Sequence, residues 1–165
     1  MTGGKYQGQR CNEEIFNEVR SKTPNILAVA HVMREKEVDA ALVHPRVVLA
    51  SDGILVDGSG HPRAAGTFPR FIHTYVKQKK LLSLYEAVAK MTAQPAKRVN
   101  INKGHLSVGA DADITIFDFE AIKDMADFNK PLSSPQGIQW VLIGGEVAVQ
   151  DGVINSNRLG SSIRV

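Results

Sequence analysis

The chain has 165 residues, with 20 lysines and arginines against 17 aspartates and glutamates, 43% apolar and 6% aromatic residues. That is enough for one sizeable core, and it excludes a disordered or fibrous chain. It also excludes a complete eight-stranded α/β barrel, which needs roughly 250 residues.

Met1 to Arg10 is polar and glycine-rich, without the apolar stretch of a secretory leader. Asn12 to Lys22 reads as a helix capped by Asn12, with Ile15, Phe16 and Val19 on one face, and Thr23-Pro24-Asn25 stops it. Ile26 to Ala30 is a short continuous apolar run, the pattern of a strand buried on both faces of a parallel sheet. Glu35 to Val43 predicts a second helix and Val47 to Ala50 a second buried strand, so residues 26–50 predict a β–α–β unit. Ser51 to Gly66 carries four glycines and a proline, and predicts a loop at the C-terminal end of a parallel strand, where α/β folds place their chemistry.

Helix resumes over 67–79. Ser83 and Glu86 stand in capping-box spacing ahead of a stripe of Leu84, Ala87, Val88 and Met91, and Thr92 is placed to cap a short last helix with Pro95 and Ala96 in its first turn. Beyond Asn102 the period changes to two. Asp113 to Phe117 predicts a strand, and Ile138 to Ile143 joins Glu146 to Val149 across Gly144-Gly145, the composition of a tight hairpin. The predicted division is therefore a βα region over 1–102 and a β region with a tail over 103–165.

The formal charge of +3 is unevenly spread. Arg63 to Lys103 holds nine basic residues and one acid, Glu86, whereas Asp111 to Asp127 holds six acids and one base, Lys123. The basic stretch lacks the interleaved aromatics that stack bases, so solvated helix faces are the expectation and a nucleic-acid partner is not. One cysteine, Cys11, excludes a disulfide framework, and no run approaches the length of a membrane span. A cytoplasmic protein without a membrane partner is the expectation.

Two residues stand out chemically. Asp52 follows the second apolar run directly, where a carboxylate can ligate a metal or shuttle a proton; local sequence alone favours a simple turn, since Ser-Asp-Gly commonly bonds its own backbone. Arg63, in the same loop beside Pro62, can present a bidentate fork to a substrate carboxylate, with a surface salt bridge as the alternative. The five histidines, His31, His44, His61, His73 and His105, have no metal-binding spacing; His31 is the most site-like by position and His73 is expected on a helix surface.

Ser51-Asp52-Gly53, His61-Pro62-Arg63, Gly66-Thr67-Phe68-Pro69-Arg70, Leu82 to Val88 and Lys90-Met91-Thr92 together resemble the C-terminal part of the N-acyl-D-amino-acid deacylases, or D-aminoacylases, of the amidohydrolase superfamily. The resemblance continues through Pro95-Ala96, Gly109 to Asp113, Phe117-Asp118 and Gly144-Gly145. It implies the last βα units of a metal-dependent hydrolase TIM barrel followed by strands of a small β-sandwich. It implies that Asp52 lies at the zinc site, as metal ligand and as the group that moves a proton from the attacking water to the departing amine. It implies that Arg63 holds the carboxylate of a small N-acyl-D-amino acid. The family's remaining ligands, a His-x-His, a cysteine and further histidines, have no counterpart in the matching region, and Cys11 lies outside it. The expectation is thus a C-terminal fragment, inactive alone, of a zinc-dependent deacylase. Fragments of a dihydroorotase-like or hydantoinase-like enzyme, or a non-catalytic domain that forms homo-oligomers through exposed strands, are the alternatives.

Overall fold

Helices form where the local signals are complete. In the computed structural model, which describes residues 1, 3–56 and 58–163, helix α1 spans Glu13–Lys22, and the Asn12 side chain accepts the Ile15 N–H at 2.8 Å. Helix α2 is Glu35–Val43 and α4 is Leu84–Met91. The capping box of α4 closes both ways: Ser83 Oγ accepts the Glu86 N–H at 3.2 Å, and the Glu86 carboxylate accepts the Ser83 N–H at 2.8 Å. Helix α5, Ala93–Arg98, lacks the predicted cap, because the Thr92 hydroxyl donates back to the Val88 carbonyl at 2.7 Å.

Between α2 and α4 the predicted loop is shorter than expected. A small hairpin pairs β1, Leu55–Val56, with β2, Ser59–Gly60, and α3 begins at Arg63, not near Thr67. Arg63 is thus the first residue of a helix rather than a loop residue; Pro62 before it already has helical angles, φ −58° and ψ −16°. Helix α3 (Arg63–Arg70) runs into a π-helical stretch, Phe71–Gln78, just past Pro69, which has no N–H to give the α-ladder. His73 lies on this stretch half-buried, not on the surface.

The β region matches its pattern. Strands β3 (Ile114–Phe117), β4 (Ile138–Ile143), β5 (Glu146–Gln150) and β6 (Val153–Ile154) form one antiparallel sheet in chain order. Gly144 and Gly145 both take positive φ, 58° and 85°, as a two-residue hairpin requires. The β3–β4 connection folds back and buries Ile122; Gly137 closes it with φ 80°, and a Cβ there would lie 2.6 Å from the Ile122 nitrogen.

The helical core consists of Phe71, Val76 and Ala87, with Leu42, Leu49, Leu82, Leu84, Met91 and Phe119 packed against it. The two apolar runs do not form the predicted buried parallel strands. Residues 26–30 and 47–50 carry no strand assignment, each is only partly covered, and the ladders among the described residues are all antiparallel. A parallel strand buried on both faces needs strands on both edges, and the named ladders among the described residues include neither run. The basic and acidic stretches, by contrast, meet: Arg70 pairs with Asp124 at 3.5 Å, Lys77 with Glu120 at 3.5 Å, and Lys103 with Asp111 at 2.7 Å.

Candidate functional site

The 47–50 run ends at Ser51-Asp52-Gly53, and three contacts bring this tripeptide against the start of α3. The Ser51 hydroxyl donates to the Arg63 carbonyl at 3.1 Å. Gly53 passes so close to Ala64 that a Cβ would lie 2.5 Å from the Ala64 Cα. Its φ lies outside the left-handed region, so glycine is required here for close approach and not for a special turn. Asp52 Oδ2 then accepts a hydrogen bond from Arg63 Nη2 at 3.2 Å. The two candidate residues, eleven apart in sequence, are direct partners, and the surface salt bridge considered for Arg63 has Asp52 as its other half.

The pair is open to solvent. The Asp52 side chain is 84% exposed and that of Arg63 43%, so the ion pair adds little stability and both groups are available to a ligand.

His61 organises the turn into α3. Its Nδ1 accepts the Arg63 N–H at 3.0 Å across Pro62, and His44 Nδ1 accepts the Arg46 N–H at 3.2 Å across Pro45. The two His-Pro-Arg tripeptides of the sequence share one local device, an imidazole doing what an Asn or Asp side chain does in an Asx turn. The neutral His61 ring carries its hydrogen on Nε2. Burial, then the nearby Arg63, Arg70 and His31 charges, hold the His61 pKa below the ordinary histidine value of 6.5.

The cover comes from the β region. Phe128, in the β3–β4 connection, sets its ring edge-on to His61, with centroids 5.2 Å apart, and to His31, 5.7 Å away. Gly66 of α3 lies against this connection, facing Asp124 and Ala126. No sequence signal links Phe128 to a loop more than sixty residues earlier. Asp127 gives a hint only locally, as its carboxylate accepts the N–H groups of Asn129 and Lys130 and so builds the turn beside Phe128.

A catalytic zinc site needs three protein ligands. No group of three or more His, Cys, Asp or Glu side chains among the described residues could hold a metal ion. Asp52 is a single carboxylate paired to an arginine, so the residues of this chain do not by themselves fit a metal centre.

The amidohydrolase family profile matches residues 23–149, and the chain belongs to the amidohydrolase family. It is 38% identical over 138 residues to the N-acyl-D-glutamate deacylase of Alcaligenes xylosoxydans xylosoxydans, covering 83% of this chain and 28% of that protein. Among solved structures it resembles D-aminoacylase, with a TM-score of 0.73 and 30% identity over 78% of this chain and 27% of the other. It also resembles the N-acyl-D-glutamate deacylase of Bordetella bronchiseptica complexed with zinc and a phosphonate inhibitor, with a TM-score of 0.67 and 35% identity over 73% of this chain and 26% of the other. The chain spans little more than a quarter of the length of these relatives.

Proposed function

We propose that this chain is the C-terminal share of a zinc-dependent amidohydrolase that cleaves N-acyl-D-amino acids to a carboxylate and a free D-amino acid. The observation that carries the reading is the Asp52–Arg63 pair at 3.2 Å, exposed at the start of α3, in a chain similar to N-acyl-D-glutamate deacylase.

Arg63 has the geometry to receive the substrate carboxylate through two parallel N–H···O bonds. An incoming carboxylate competes with Asp52 for the guanidinium and leaves the Asp52 carboxylate free. Asp52 then acts as general base: it takes a proton from the water that adds to the amide carbonyl, and returns that proton to the nitrogen as the C–N bond breaks. His61 fixes the Arg63 backbone, and Phe128 closes the far side. Asp52 is also the one group here suited to be a zinc ligand, and the other members of such a set belong to sequence outside this chain. Residues 1–102 are read as the last βα units of the TIM barrel and 103–165 as a share of the sandwich. The partly bare 26–30 and 47–50 runs are the faces that the rest of a barrel, or a second copy, would cover. No helix among the described residues is long and apolar enough to cross a membrane.

The test is an assay of the whole protein containing this chain against N-acetyl-D- and N-acetyl-L-amino acids, hydantoins and dihydroorotate. Hydrolysis confined to the D-series, lost in Asp52→Ala and weakened mainly through KM in Arg63→Ala, is the expected result. Preference for a cyclic amide overturns the reading. The 165-residue chain alone is expected to be inactive.

A further inference from the structure

The 47–50 run delivers Asp52 without a strand ladder to hold it, so something else must fix its path. Lys90 is 4% exposed, the one buried charged residue among the described residues, and sits on the face of α4 that also carries Ala87 and Met91. Its Nζ has no carboxylate within ion-pair distance among the described residues; it donates instead to the carbonyls of His44, at 2.6 Å, and Val47, at 2.7 Å. The backbone of the same residue adds a third tie, its carbonyl accepting the Leu49 N–H at 3.1 Å. Leu49 also packs its side chain into the helical core.

A buried ammonium is costly unless hydrogen-bonded, and the acceptors here are well chosen. His44 follows the last residue of α2, where the helix dipole is negative and a cation is favoured. Arg98 Nη2 likewise donates to a backbone carbonyl in this stretch, that of Arg46, whereas Lys79 pairs with the carboxylates of Glu35 at 2.6 Å and Asp39 at 2.7 Å along α2. Burial holds the Lys90 pKa below the ordinary lysine range.

We propose that Lys90 is a positioning residue for Asp52: its ammonium and its carbonyl grip the chain at His44, Val47 and Leu49 in place of a sheet ladder, and so fix the run that delivers the carboxylate to Arg63. The grip at Lys90 and the Gly53–Ala64 approach clamp the run at its two ends. That the delivered carboxylate is catalytic rests on the deacylase reading above; the grip itself does not.

The test uses the full 165-residue chain and no substrate, so it succeeds or fails independently of the hydrolysis assay. In the unaltered protein, NMR is expected to show a Lys90 Nζ resonance coupled through hydrogen bonds to the carbonyl carbons of His44 and Val47. A freely exchanging ammonium without those couplings overturns the proposal. In Lys90→Met, amide exchange over 44–52 should rise about tenfold or more while β3 to β5 keep their protection. Lys90→Arg, which keeps donors, should restore Leu49 to within about threefold of the native rate. An unchanged Leu49 in Lys90→Met, or a rise spread evenly over the whole chain, refutes the role. Should Lys90→Met fail to fold, the native resonance and Lys90→Arg decide.

Discussion

Two pairs of predominantly apolar segments in this molecule have opposite fates. Ile114–Phe117 and Ile138–Ile143 pair as strands with Thr115 opposite Val141, whereas 26–30 and 47–50 are partly covered and belong to no strand. The first pair have each other, joined through the Gly144–Gly145 turn to a third strand. The second pair would need flanking parallel strands; the 47–50 run is held instead by Lys90 of the helical layer, at the Val47 carbonyl and the Leu49 N–H. An apolar run specifies an extended chain that avoids water; membership of a sheet is a property of its neighbours.

A matched pair of proline substitutions would break this comparison most sharply. Val141 lies in β4 between β3 and β5, so Val141→Pro removes ladder bonds on a central strand and should be the most destabilising change of all. Val48 sits in the 47–50 run, where the neighbouring Leu49, not Val48, gives its N–H to Lys90. Val48→Pro should cost well under half as much, read as the shift of the urea midpoint at constant slope. Equal losses would mean that 47–50 carries a ladder after all.

Gly53→Ala comes next in size. The added methyl must displace the Ala64 backbone from 2.5 Å, a local overpacking expected to cost about 1–3 kcal/mol. Its distinguishing effect is on the site, because moving α3 away from Gly53 separates Asp52 from Arg63. We expect the loss of stability to coincide with the loss of that ion pair in a crystal or NMR structure. A stable variant with the pair intact would show that the approach is not what unites the two residues.

What could be read in advance follows the same division. The Asn12 cap, the Ser83–Glu86 box and the Gly-Gly hairpin are encoded within a few residues, and each stands where the sequence predicts it. Asp52 and Arg63 were legible as candidates because motif and position agree, but their mutual contact depends on Gly53 meeting Ala64, which no periodicity reports. The start of α3 was misplaced because the glycines of 51–66 suggest loop, while His61 and Pro62 nucleate a helix by a bond to the Arg63 N–H. Lys90 entered only as part of the Lys90-Met91-Thr92 motif, because its burial depends on the 44–49 chain folding over it. Phe128 was not, since its position over His61 is set by the whole β3–β4 connection.

The smallest effect sharpens the comparison at His61, where a local turn and a long-range cover meet. Its pKa is held below 6.5, first by burial and then by the Arg63, Arg70 and His31 charges, so the fold favours the neutral ring. The unfolded chain therefore binds the proton more readily, and the contribution of His61 to stability is complete above pH 6.5. It falls as the pH drops from 6.5 through the lower native value, and levels off beneath that. An NMR titration of the His61 ring should give a midpoint below 6.5. Phe128→Ala, which opens the ring to water, should move it up by more than Arg70→Gln, because burial is the larger cause. A proton on Nδ1 would also cost the bond from the Arg63 N–H, so the amide resonance of Arg63 should move with the same midpoint. A native midpoint at or above 6.5, or an Arg63 amide indifferent to it, would leave the His-Pro-Arg turn held by proline alone.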